Sequence, residues 1–154
     1  MAKIRSLRRC ALFKSLGYRD LAILAQHVEE GTAPAEKWLL EEGTPSDGMF
    51  ILKSGRVSVS MKGRGDETVE MGPGEFLGEL SVLPGAQVRA VGAKCLERCE
   101  YLRLATAEWE QLKIKAPDVA GKVAQGILES VAEKMSATQT YLRDLMTDPR
   151  KGAS

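Results

Sequence analysis

The spacing of apolar residues changes character twice along this chain, and the three regimes predict three kinds of structure. Within residues 7–30, Leu12, Leu16, Leu21, Leu24 and Val28 recur at helical intervals. Gly17 interrupts them, which predicts two short helices, the second opening at Arg19 and Asp20 with Leu21, Leu24, Ala25 and Val28 turned inward. Over residues 31–105 the pattern shortens to β-like runs. Trp38-Leu39-Leu40, Met49-Phe50-Ile51-Leu52, Thr68 to Met71, Val88 to Ala93 and Tyr101 to Leu104 are separated by glycine- and proline-rich breaks. Val57, Val59 and Met61 alternate with Ser58, Ser60 and Lys62, the period of a strand with one wet face. Strands this short and regularly spaced predict a small sandwich or barrel.

The third regime is helical again, over residues 107–146. Trp109 and Leu112 anchor a short helix, and Pro117 is placed to begin a long one, because its missing N–H would have no partner in a first turn anyway. Leu128, Val131, Met135, Thr138, Leu142 and Leu145 alternate spacings of three and four, a heptad seam suited to pairing with a second copy. Val119, Val123 and Ile127 form a separate stripe, expected to lie back on the β region. The seam runs farther than a small barrel can cover, which favours a homodimer over one helix packed entirely on its own domain. Residues 147–154 read as a polar tail, leaving 1–146 as a single domain.

Composition narrows the function classes. At 154 residues, 44% hydrophobic and 28% charged, the chain is long enough to bury one core and too apolar for disorder. A net charge of +1 gives no general attraction to nucleic acid or membrane. The N-terminal cluster Lys3, Arg5, Arg8, Arg9, Lys14 and Arg19 is read as a solvated, partly frayed helix face, with an anionic docking patch as the sharper alternative. No apolar run is long enough to span a bilayer and no secretory leader is evident. Cys10, Cys95 and Cys99 have no disulfide-framework spacing, in keeping with a cytoplasmic location. Cys95 and Cys99 look like small core or surface residues. His27 is the single histidine and lies outside the β region, so neither a metal site nor a cupin-type enzyme is expected.

The most specific stretch is Gly74-Glu75-Phe76-Leu77-Gly78-Glu79-Leu80-Ser81-Val82-Leu83-Pro84-Gly85. With Gly43, Phe50-Ile51-Leu52 followed by Gly55-Arg56-Val57, and Pro117 before the last helix, it resembles the cyclic-nucleotide-binding domain family over residues 12–145. The resemblance implies a jelly-roll barrel (double-stranded β-helix) with flanking helices and a long C-terminal helix. It also implies that the stretch is a phosphate-binding cassette. Gly78 would let the backbone approach a phosphate, residues 79–83 would form a short helix with outward N–H groups, and Glu79 would accept from a ribose hydroxyl. A downstream arginine would neutralise the cyclic phosphate.

The sequence departs from the family at that arginine. Counted without a gap, Gln87 stands at the usual proline and Val88 at the arginine, with Arg89 one residue late and Ala90 after it. In a strand, a shift of one turns a side chain to the other face. Either the loop holds an extra residue and Arg89 reaches the pocket, or the phosphate clamp is lost and Glu79 and Arg89 pair with each other or with solvent.

The candidate ligand-binding residues are therefore Gly78, Glu79, Leu80, Ser81, Val88, Arg89 and Ala90, with Ser130, Lys134 or Thr138 capping the base. The expected function is a non-catalytic sensor of cyclic AMP, cyclic GMP or a related anion, without cofactor or metal, relaying occupancy through its terminal helix. The alternative is a ligand-free dimerisation or protein-interaction module with an unidentified partner. Direct DNA binding is not expected, because the residues after Leu145 leave no room for a recognition helix.

Overall fold

The computed structural model describes residues 2–60, 67–82, 89 and 91–147. Helix α1 (Ala2–Arg8) and a 3-10 turn (Ala11–Phe13) precede α2 (Tyr18–Ala25). Eight strands come next: β1 (Glu29–Ala33), β2 (Trp38–Leu40), β3 (Gly48–Ser54), β4 (Val57–Ser60), β5 (Thr68–Met71), β6 (Phe76–Leu77), β7 (Gly92–Cys95) and β8 (Cys99–Ala105). Helices α3 (Thr106–Lys115) and α4 (Pro117–Thr147) close the chain. The strands form two four-stranded antiparallel sheets, ordered β1-β8-β3-β6 and β2-β7-β4-β5. This is the expected jelly roll with flanking helices and a long terminal helix.

Two cores share one sheet. Phe50 and Leu52 of β3 turn into the roll with Leu40, Val57, Leu77, Ala93, Cys95 and Cys99. Met49 and Ile51, the alternate residues of the same strand, turn outward with Leu102 and Leu104 of β8 and meet the helices. Burial on both faces is why residues 49–52 are continuously apolar instead of alternating. The outer core is completed by Leu7, Leu12, Phe13, Leu21, Leu24, Trp109, Leu112 and the predicted stripe Val119, Val123 and Ile127. That stripe packs against the N-terminal helices and α3 as well as the sheet.

Several boundaries differ from the sequence reading. The N-terminus is not frayed: α1 buries Leu7, and Lys3 Nζ donates to the Val28 carbonyl at 2.8 Å. The first strand begins at Glu29 rather than Gly31. It pairs with β8 from Glu29↔Arg103 to Ala33↔Cys99, so backbone hydrogen bonding defines it where apolar alternation is missing. Gly17 does break the helical region, as N-cap of α2, where its N–H donates to the Asp20 carboxylate at 3.1 Å. Both Cys95 and Cys99 are core residues, and burial pushes the Cys10 and Cys95 thiols up to about 11 and about 12, away from nucleophilic character. His27 is buried, with Nδ1 3.0 Å from Glu108 Oε2 on α3. Among the described residues no helix is long and apolar enough to cross a membrane.

Two contacts tie α4 to the N-terminal helices and generate predictions. Gly126 packs on the backbone of the 3-10 turn, where an added Cβ would run into the Leu12 carbonyl, whereas Gly121 faces open space. Gly126→Ala is expected to lower thermal stability by about 1–3 kcal/mol. Gly121→Ala should raise it by about 0.5–1 kcal/mol through helix propensity. The second contact is Lys122 Nζ to Asp20 Oδ2 at 2.8 Å, which, with the Gly17 N–H, holds the Asp20 carboxyl below its ordinary 3.8. A carboxyl depressed in the folded state adds stability above its unfolded value, lost as pH falls through the folded one. Denaturant midpoints should therefore fall less steeply with acidification below 3.8 in Asp20→Asn than in the parent chain.

Candidate functional site

The cassette lies where β6 leaves the sheet. Phe76 and Leu77 pair with Ile51 and Phe50, so Gly78 emerges directly beside the start of β3. Gly78 has φ +70, a left-handed conformation that glycine adopts without strain. A 3-10 turn (Glu79–Val82) comes after it, closed by the Ser81 N–H donating to the Gly78 carbonyl at 3.0 Å.

Arg89 reaches this turn. Its backbone is pinned on both sides: its N–H donates to the Thr44 carbonyl at 2.8 Å, and its carbonyl accepts from Gly43 N–H at 2.9 Å. The residue is 7% exposed. Nη2 donates to Asp47 Oδ1 at 2.8 Å and to the Gly48 carbonyl at 3.1 Å. Nη1 lies beside Gly78, 2.7 Å from where a Cβ on that residue would stand. Only a glycine leaves room there. Val88 and Ala90, its predicted companions, lie outside the described residues.

Two polar atoms of the cassette are buried with no hydrogen-bond partner among the described residues, Arg89 Nη1 and Ser81 Oγ. An unsatisfied buried polar group costs about 1–3 kcal/mol. Both residues adjoin Gly78, one where its side chain is missing and the other through its carbonyl. A buried guanidinium N–H facing bare backbone is a donor that an oxyanion can satisfy.

Glu79 and Arg89 do not pair with each other; each has a different partner. Glu79 Oε1 instead accepts from Lys134 Nζ of α4 at 2.7 Å, while Asp47 takes Arg89. Lys134, expected to cap a base, thus meets the Glu79 carboxylate, and its Nζ lies 5.8 Å from the centre of the Phe76 ring. Ser130 sits half-buried on α4. The side chains of Leu80 and Thr138 lie outside the described ones.

Three contributors escaped the sequence reading. Asp47 and Gly48 fix the arginine fork, and Asp47 Oδ2 also lies 3.4 Å from Nη2 of Arg103 on β8. The third is an apolar wall: Val59 stands opposite both Val69 and Ala93, and Ala93 opposite Leu40, so all four share the inner face of their sheet. Ala93 and Leu40 are buried, whereas Val69 on β5 is 62% exposed. The period-two alternation of β4 and β5 carried the only sequence signal for it.

Along α4, Leu128 and Met135 are 56% and 57% exposed, while Val131 is partly buried against its own core. The side chains of Leu142 and Leu145 lie outside the described ones.

The family model for the cyclic nucleotide-binding domain matches residues 31–115. An uncharacterized NTE family protein of Mycobacterium bovis is 30% identical over 112 residues, or 73% of this chain and 19% of that protein. The chain thus spans about a fifth of the length of that relative. The catabolite activator protein of Thermus thermophilus shares the fold, with a TM-score of 0.75 at 23% identity over 89% of this chain and 63% of that one. The regulatory domain of Toxoplasma gondii PKA, crystallised with cAMP, gives a TM-score of 0.63 at 29% identity over 71% of this chain and 42% of that one.

Proposed function

Because this chain belongs to the cyclic nucleotide-binding domain family, we propose that it is a non-catalytic sensor module that takes a cyclic nucleotide at the Gly78–Arg89 cassette. The observation that carries this reading is Arg89 Nη1, buried without a partner among the described residues and facing the bare side of Gly78, with a second such atom, Ser81 Oγ, in the turn that follows. A cyclic phosphodiester brings one negative charge and two free oxygens, enough to satisfy both. Asp47 holds the other guanidinium nitrogen, which turns Nη1 toward the ligand. Glu79 is the acceptor for the sugar hydroxyl, and the Val59–Val69 wall offers an apolar surface to the base. Cyclic AMP is the first ligand to test, since it is the one bound to the Toxoplasma regulatory domain.

The same reading assigns α4 to output. Occupancy at the cassette biases α4, whose outer seam of Leu128, Val131, Met135, Thr138, Leu142 and Leu145 pairs with a second copy in the cytoplasm. One observation favours a second reading, a ligand-free interaction module: Glu79 and Arg89 already have intramolecular partners in Lys134 and Asp47.

Calorimetric titration with cyclic AMP and cyclic GMP separates the two. Sensor function predicts saturable binding, weakened about ten- to hundredfold in Arg89→Ala and only partly restored in Arg89→Lys, which keeps the charge but not the fork. No heat with either nucleotide at millimolar concentration leaves the interaction module. For the pairing surface, Met135→Glu should convert a dimer to a monomer in sedimentation velocity, and an unchanged sedimentation coefficient rejects the seam.

A further inference from the structure

The two halves of the cassette are not in the same condition. On the phosphate side, Arg89 Nη1 and Ser81 Oγ are buried without partners among the described residues. On the sugar side, Glu79 already holds a cation: its side chain is 12% exposed, and its Oε1 lies 2.7 Å from Lys134 Nζ. The lysine is 63% exposed, with its Nζ near the Phe76 ring. The carboxylate has been taken out of water and the ammonium has not. Such a pair holds because the buried partner needs it, while its loss costs the exposed partner little. The neighbouring Cys10 adds no second negative charge beside Glu79, since burial keeps its thiol protonated.

We propose that Lys134 is a tethered competitor for the sugar hydroxyl, and so sets how strongly the pocket distinguishes a ribose ligand from a deoxyribose one. The proposal rests on the cyclic-nucleotide reading of the cassette. A 2′-hydroxyl that donates to Glu79 replaces the ammonium donor and lets Lys134 return to water. A ligand lacking that hydroxyl has nothing to give Glu79, and the ion pair stays closed. Lys134 belongs to α4, whereas Glu79 belongs to the roll. Breaking the pair therefore removes a direct tie between the cassette and the helix. Phosphate capture and helix release become separable events, and only a ribose ligand performs both.

The test is titration of the full chain and of Lys134→Met with cyclic AMP and with 2′-deoxy cyclic AMP. Methionine keeps the unbranched stem and the helix propensity and removes the charge. Cyclic AMP is expected to bind Lys134→Met about three- to tenfold more tightly than the parent, with 2′-deoxy cyclic AMP unchanged, so the ribose preference widens. Measurable binding with the same ribose preference in both proteins overturns the competitor and leaves the pocket standing. Weaker cyclic AMP binding by Lys134→Met overturns it too. Binding by Lys134→Met alone supports a competitor that dominates in the parent. Binding of neither ligand by either protein sinks the pocket reading and the competitor with it. Thermal denaturation of ligand-free Glu79→Gln, Lys134→Met and the double variant gives an independent check. Non-additive shifts in Tm are expected, and strict additivity overturns the tie.

Discussion

The central strand β3 is apolar and buried on both faces over residues 49–52, and that constraint arranges the rest of the molecule. In β3, Phe50 and Leu52 point inward against Met49 and Ile51 outward, with Leu102 and Leu104 of β8 beside the latter. Burying a side chain of this size is worth about 1.5–3 kcal/mol. Neither set can be exposed without a loss comparable to a large fraction of a domain's net stability. The inner set is covered by the second sheet, which closes the roll. The outer set is covered by helices from both ends of the chain, which brings α4 over the sheet that carries the cassette.

The cassette is where these requirements leave room. β6 contributes only Phe76 and Leu77 to the sheet before Gly78 turns away. Beyond Gly78, polar contacts hold the two functional side chains: Thr44, Gly43, Asp47 and Gly48 fix Arg89, and Lys134 fixes Glu79. A buried guanidinium with Nη2 satisfied and Nη1 without a partner among the described residues is an unfavourable arrangement for a structure to keep. An anion that completes the set removes the penalty.

Much of the fold was legible because it depends on local chemistry. The Gly17 break, the strand at residues 68–71 and the start at Pro117 each stem from a residue or run whose backbone preference decides the matter. β1 was not legible, since Glu29-Glu30-Gly31-Thr32-Ala33 has no apolar alternation and owes its conformation to pairing with β8. The site divides in the same way. Gly78 and Glu79 could be read from their neighbours in sequence. The position of Arg89 is set by its backbone bonds to Gly43 and Thr44 and by Asp47, which counting along the sequence cannot supply. Asp47 and Lys134 meet their partners across forty-two and fifty-five positions, a distance at which sequence spacing carries no signal.

The placement of Ile127 gives α4 a mechanical character. Among the described side chains it is the last fully buried one of the helix, and beyond it Val131 leans on the core only in part. Lys134 lies roughly two turns past that point and Thr147 roughly five and a half. For a stiff rod hinged at Ile127, a displacement of the lysine is therefore multiplied about threefold at the tip. A shift of about one ångström at Glu79, no more than the difference between a closed and an opened ion pair, becomes about 3 Å at the far end, comparable to half a helical turn. In that geometry Lys134 marks the short arm and the exposed Met146 lies near the end of the long one.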